Sequence, residues 1–186
     1  SNMTIQLEDS GWDLMPSQDE THIWHHHEGV FLSAIQTNDI NLQATFSAIL
    51  VNDRAALRKI FFDDKSAEQV EILECNMGNE LPGNPAHRFS SFMGGESRPG
   101  RPTEYFAFAV ITNCNFDSKT LPVVLSLWAQ EDPREDMIRE RHLQDVMGKE
   151  NAGNPYARQF DDLFVFHALS KLRVRLDHLP QALRVV

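Results

Sequence analysis

YFAFAVITN (105–113) and LPVVLSLWAQ (121–130) are two long apolar runs, and EDPREDMIRE (131–140) follows them directly. Apolar runs of this length, separated by a short polar turn, are typical of neighbouring strands in an antiparallel sheet. A helix start directly after the second run indicates that helices pack on that sheet. The sequence therefore predicts an α+β fold with a single, mainly antiparallel sheet and helices packed on it.

The segment after the second apolar run carries the signals of a helix N-terminus. Asp132 is a preferred N-cap residue, Pro133 fits the first helical turn, and Glu135 occupies the third position of a capping box. These residues predict a helix from residue 133 to about 147. The glycines of 148–155 then indicate a linker before a last helix.

Apolar runs and turn residues predict the other strands of the sheet. Glu28 and Gly29 form a two-residue connection suited to a tight hairpin, and the Gly and Pro residues of 78–85 and 94–102 predict loops. The sheet that results has about six or seven strands, among them 22–27, 30–36, 68–77, 86–93, 103–113 and 119–130.

The run LQATFSAIL (42–50) is the one segment whose pattern fits two structures. Its apolar residues alternate with Gln43, Thr45 and Ser47, which is the period of a strand. A helix would instead have to place Phe46, Ile49 and Leu50 on one stripe. We predict a strand here, because the alternation extends through the run.

Two further helices follow from apolar stripes at helical spacing. Asn52 is predicted to cap a helix over residues 53–62, in which one face carries Ala56, Leu57, Ile60 and Phe61. A second stripe predicts a helix over 169–179 that stops at Pro180, and its members are Val165, Leu169, Leu172, Leu176 and Leu179.

The length of 186 residues suits one domain with one sizeable core. Ser1 and Asn2 precede Met3 and resemble the remnant of a cleaved tag. Residues 1–20 are polar and predict an irregular segment or a short strand, and residues 21–186 form a single predicted α+β domain.

The formal charge of −10 disfavours long-range attraction to nucleic acid or to an anionic membrane. Cys75 and Cys114 are too few for a disulfide framework and are predicted to be free thiols. Since no run approaches the roughly 18 apolar residues of a membrane helix, we expect a cytoplasmic protein.

Histidines in the first predicted hairpin suggest one metal site. On a strand, His25 and His27 project to the same face, where a pair at i and i+2 could hold a transition metal with Glu20 or Glu28 nearby. The further ligands that zinc needs are not marked by the sequence. The alternative is a polar, partly exposed edge strand.

Several short patches resemble a bacterial family of unknown function. They are Ala56-Leu57-Arg58, Val70-Glu71, Arg134-Glu135, Asn154-Pro155-Tyr156 and 167–173, of which the last departs from the family pattern at Ala168. The order of elements and Gly11-Trp12 are also similar to the α/β/α sandwich of the photosystem extrinsic PsbP-like proteins. The first resemblance implies one domain and no known activity, and the second is an analogy of architecture that suggests a binding or assembly protein.

The polar members of these patches are the predicted binding residues. Arg134 and Arg173 could face one acidic ligand, because helix N-termini favour anions. The alternative is that these residues cap helices, with Ser170 as an N-cap and Glu135 in a capping box. The predicted set is Arg134, Glu135, Tyr156, His167, Ser170 and Arg173.

No nucleophile motif, phosphate loop or strong metal cluster marks a reaction, and the sequence identifies no catalytic residue and no cofactor. We therefore expect a non-catalytic interaction domain, such as an accessory, chaperone-like or immunity-type protein. Its acidic charge predicts a protein partner with a basic surface and no nucleic acid or membrane partner. A homodimer is also possible. The alternative is a small-molecule enzyme, assisted by a metal at His25 and His27.

Overall fold

The computed structural model describes residues 4–7, 11–18, 21–36, 39–63, 68–97, 99, 103–113, 123–130 and 155–186. In chain order, the described elements are β1 (Ile5–Leu7), β2 (Trp12–Leu14), β3 (His22–His26), β4 (Val30–Gln36), α1 (Leu42–Leu50), α2 (Arg54–Phe61), β5 (Val70–Leu81), β6 (Asn84–Glu96), β7 (Glu104–Asn113), β8 (Val123–Ala129), α3 (Pro155–Ala182) and β9 (Leu183–Val185). The predicted helix over 133–147 lies outside the described residues.

Seven strands form one sheet in the order β2-β3-β4-β8-β7-β6-β5, and every neighbouring pair in it is antiparallel. A separate two-stranded sheet joins β1 to β9. The predicted α+β fold with a mainly antiparallel sheet is therefore confirmed. For residues 1–20 the sequence predicts an irregular segment or a short strand, and β1 and β2 both lie there.

Helices cover the sheet on both faces. On one face, α3 buries Leu172, Leu176 and Leu179 against side chains of the central strands such as Leu125 and Leu127. On the other face, a second core joins α1 and α2 to β5 and β6 and includes Ile49, Leu57, Ile72 and Phe92. The long strands therefore have apolar side chains on both faces, which is why their sequences are nearly continuous apolar runs.

The predicted hairpin between β3 and β4 is present, but its connection has three residues, 27–29, where the sequence predicts two, because β3 ends at His26. The strands pair antiparallel from His22 opposite Ala34 to His26 opposite Val30. Gly29 has a φ of 84°, in the left-handed region that glycine adopts without a steric penalty. The tight turn therefore depends on this residue.

The prediction of a strand over 42–50 is wrong, because these residues form α1. Asn41 caps the helix, since its Oδ1 accepts a hydrogen bond from the Ala44 N–H at 3.0 Å. The buried residues are Thr45, Phe46, Ala48 and Ile49, a helical face, while Leu50 is 66% exposed. The alternation of polar and apolar residues was thus a coincidence of composition.

The helix predicted over 53–62 is confirmed as α2, but Asn52 is not its cap. Asp53 is the N-cap, and its Oδ1 accepts a hydrogen bond from the Ala56 N–H at 3.1 Å. Asn52 instead has a φ of 55° and connects the two helices, a conformation that asparagine tolerates better than most residues. The cap therefore lies one residue later than predicted.

The strands β5 and β6 are longer than the sequence predicts. The predicted loop at 78–85 is reduced to a turn at Pro82 and Gly83, because β5 continues to Leu81 and β6 begins at Asn84. Leu81 is fully buried. The Asn84 side chain donates through Nδ2 to the Val185 carbonyl and accepts through Oδ1 from the Val185 N–H, both at 2.9 Å. Contacts distant in sequence thus extend both strands.

The last helix is also longer than predicted. It begins at Pro155, so Ser170 lies in its interior and the prediction of Ser170 as an N-cap is wrong. Pro180 lies inside the helix, which ends soon afterwards at Ala182. The buried stripe of Leu172, Leu176 and Leu179 follows the predicted spacing. Among the described residues, no helix has the length and apolar character to cross a membrane.

Candidate functional site: a groove along the edge strand β5

The strand β5 is the last strand of the sheet, and among the described strands only β6 pairs with it. It has twelve residues, so its outer side presents backbone N–H and C=O groups over a long distance. Such an edge is a template for another extended chain.

Two concave surfaces open to solvent lie along this edge, and we call them together the β5 groove. Their volumes are about 650 Å³ and 620 Å³. The first is lined by Arg58, Glu68, Gln69, Val70, Glu71, Ser97 and Pro99. The second is lined by Asn52, Arg54, Leu73, Glu74, Cys75, Asn76, Arg173 and Asp177. Together they follow the chain from residue 68 to residue 76.

A β-bulge in β5 determines which side chains face which helix. Ile72 pairs with Gly94 and Glu74 pairs with Met93, so Leu73 is an extra residue in β5. After the bulge, Glu74 lies on the α3 face, because Met93 belongs to that core. Cys75 then lies on the α1–α2 face, where it packs against the second core.

On the α3 face, Arg173 and Glu74 form a two-point ion pair. Arg173 Nη2 donates to Glu74 Oε1 at 2.6 Å, and its Nε donates to Oε2 at 3.4 Å. The hydrogen bond and charge of Glu74, with a smaller effect of Asp177, raise the pKa of Arg173 above its usual value. Both side chains are about 40% exposed, which limits the stability the pair contributes.

On the opposite face, α2 places a guanidinium beside a free thiol. Arg54 Nε donates to Asn52 Oδ1 at 3.4 Å, and its charge acts on Cys75 across the groove. Burial raises the pKa of the Cys75 thiol, and Arg54 partly opposes that effect. The groove is therefore cationic on the α2 side.

Three exposed apolar residues are sequence neighbours of residues that line the second concave surface. Val51 precedes the lining residue Asn52, Met77 follows Asn76, and Val174 follows Arg173. Their exposed fractions are 69%, 48% and 39%. Single exposed apolar side chains are common on protein surfaces, so the charged lining, and not these residues, characterises the groove.

Of the predicted binding residues, the structure places one in the groove, namely Arg173. Tyr156, His167 and Ser170 lie on α3, and Ser170 is half-buried. Arg134 and Glu135 lie outside the described residues. The groove residues on β5 and α2 were not predicted, since nothing in the local sequence indicates which strand ends the sheet.

The two histidines predicted to hold a metal have other contacts. His25 Nε2 lies 2.9 Å from Gln130 Oε1, and its ring packs on Phe31. Because β3 ends at His26, His27 lies in the turn, with Nε2 3.9 Å from Glu28 Oε1. In the part of the chain that the structure describes, no three His, Cys, Asp or Glu side chains converge as a metal site would require.

Among the histidines whose side chains the structure describes, His26 has the most extensive contacts, although the sequence did not predict it as a ligand. It is 1% exposed, its Nδ1 accepts from the Glu28 N–H at 3.1 Å, and its Nε2 lies 2.5 Å from Arg175 Nη1. Its ring packs edge-on against Trp12. These contacts join β2, β3 and α3, which indicates a structural role.

Comparison of the chain with protein-family models, with curated proteins and with solved structures finds no match. The resemblances to a bacterial family and to PsbP-like proteins therefore stay predictions.

Proposed function

We propose that this chain is a non-catalytic binding domain that holds an extended segment of a partner protein along β5. The observation that carries the proposal is that both concave surfaces lie along β5, the longer of the two edge strands. An extended segment added there would pair its backbone with β5 and place its side chains in the groove.

The charge of the molecule supports a partner with a basic surface. A formal charge of −10 attracts a basic protein at long range and raises its association rate. The same charge disfavours binding to nucleic acid and to anionic membranes. Separately, we propose a cytoplasmic location. A homodimer through paired β5 edges is the competing assembly, and the experiment below separates it.

The test compares two charge-reversal variants in capture experiments from extracts of the native cell. One variant carries Glu71→Lys and Asp177→Lys in the groove. Its matched control carries Asp13→Lys and Glu28→Lys, exposed residues near the opposite edge of the sheet. Both raise the formal charge from −10 to −6, since each reversal adds two.

We expect wild type and the control variant to retain the same partner, identified by mass spectrometry, and the groove variant to lose it. Equal retention by both variants, or equal loss by both, would show that the groove is not the docking site. Sedimentation of the purified wild type checks the competing assembly. A dimer that the groove variant converts to a monomer would assign the edge to self-association and overturn the proposal.

A further inference from the structure

We infer that the docked segment alternates acidic and basic side chains along its length. This inference rests on the proposed function of the β5 groove. It follows from an unequal distribution of charge across the groove, since arginines of α2 lie on one side of β5 and carboxylates of β5 and α3 lie on the other.

The α2 side of the groove is basic. Arg54 lines one concave surface and Arg58 lines the other, and they are one helical turn apart. The salt bridges of the described residues include neither of them. Arg54 donates to Asn52 through Nε alone, so the Nη groups of both arginines are available to carboxylates of a ligand.

The α3 side of the groove is acidic. Glu71 lies opposite Gly95, whose neighbour across the sheet is Tyr105, and Tyr105 packs against the core under α3. Asp177 lines the groove on the same side and is exposed. Glu74 is already paired with Arg173, so on this side Glu71 and Asp177 remain for a ligand, and the exposed Glu68 adds a further carboxylate at the start of the groove.

The geometry of an extended segment matches this arrangement. Successive side chains of a strand project to opposite faces, so alternate residues of the segment would meet α2 and the others α3. Residues i and i+2 of a strand are roughly 7 Å apart, close to the roughly 6 Å rise between i and i+4 of a helix. Two acidic residues at i and i+2 could therefore reach Arg58 and Arg54, while basic residues between them face Glu71 and Asp177.

Alternation would also determine the register of the docked segment. A slip by one residue would turn every side chain to the other face and place like charges together. The net charge of −10 attracts the basic partner as a whole, and the local alternation selects which of its segments docks. Long-range attraction and local recognition therefore have different charge requirements.

The test uses two synthetic nine-residue peptides with identical composition, a length that matches residues 68–76. In the first, Glu and Lys alternate within a background of Thr and Val. In the second, the same Glu residues precede the same Lys residues as two blocks. Since both peptides have the same net charge, long-range attraction to the protein is nearly equal, and a difference in affinity reports the alternation.

We expect the alternating peptide to bind at least about tenfold more tightly in fluorescence anisotropy, which corresponds to about 1.4 kcal/mol. In the Arg54→Glu/Arg58→Glu variant, both sides of the groove are acidic, so the preference should disappear. The melting temperature of the variant, measured alongside, establishes that it is folded.

Equal affinities of the two peptides for wild type would overturn the inference, as would a preference that persists in the variant. Absence of binding by either peptide would also overturn it. If the capture experiment still shows a partner that the groove variant loses, the proposed function stands and the alternation is wrong. If that capture fails as well, both are wrong.

Discussion

The two edges of the seven-stranded sheet differ in length and in what surrounds them. At one edge, β2 has three residues, whereas β5 at the other has twelve. A short edge strand leaves few backbone groups unpaired, which protects against unwanted pairing. At the long β5 edge, a bulge at Leu73 and charged side chains on both sides of the strand limit which chains could pair with it. One edge of the sheet is therefore short, and the other is long, irregular and flanked by charged side chains.

The helix α3 contacts both ends of the sheet through two arginines that are two positions apart. Arg175 is 8% exposed and contacts His26 on β3, next to the β2 edge. Arg173 has a side chain that is 43% exposed and bonds Glu74 on β5. The contact near β2 is thus buried and the contact at β5 is solvated, so the β5 end can rearrange at lower cost.

The largest expected effect is that of Gly11→Ala beside β2. A Cβ there would overlap His26 Nε2, and the ring cannot move without losing its contacts to Arg175 and Glu28. We expect a loss of about 3 kcal/mol in the free energy of unfolding, measured by urea denaturation.

The matched control is Gly83→Ala in the turn between β5 and β6. A Cβ there meets Arg184 Cδ at 2.7 Å, and this side chain can move aside by exchanging its hydrogen bonds to the Gln181 and Leu183 carbonyls for hydrogen bonds to water. The cost should stay below about 1 kcal/mol. Equal costs for the two substitutions would contradict the distinction between the edges.

The second prediction compares Arg175→Ala with Arg173→Ala. Both substitutions lie in the interior of one helix, so their effects on helix propensity are equal. Arg175→Ala removes a buried side chain that packs against His26 and should cost about 2 kcal/mol. Arg173→Ala removes a solvated ion pair and should cost less than about 1 kcal/mol. Thermal and urea unfolding measure both costs. A larger cost for Arg173→Ala would contradict the description of the contact near β2 as buried and of the contact at β5 as solvated.

The smallest effect concerns Cys75 in the groove, measured in a Cys114→Ser background. Because burial raises its pKa, the alkylation rate should reach its half-maximum at a pH above that of an exposed thiol. Arg54→Gln removes the opposing charge and should move that midpoint further upward. An unchanged midpoint would show that Arg54 does not act on the thiol.

The raised pKa of Cys75 also makes the free energy of unfolding depend on pH. The folded-state pKa of Cys75 lies above the unfolded value of about 9.0, so its contribution is present below that pH and is lost as the pH rises. The free energy of unfolding should therefore fall above about pH 9 by an amount that Cys75→Ser removes.

The sequence by itself determined the α+β class, the hairpin of β3 and β4, the paired β7 and β8, and the helix α2. These elements depend on local signals, namely apolar periodicity and the turn residues at Glu28 and Gly29. The spacing of Leu172, Leu176 and Leu179 likewise predicted the buried stripe of α3. In each case the residues that decide the structure are neighbours in the chain.

Only the tertiary structure decided which strand ends the sheet, and with it the position of the groove. Arg173 and Glu74 are 99 positions apart, and Arg175 and His26 are 149 apart. Residues 42–50 became a helix because their buried face packs on β5 and β6, against the local alternation. Strand order and such contacts result from packing between distant segments, for which no short stretch of sequence carries a signal.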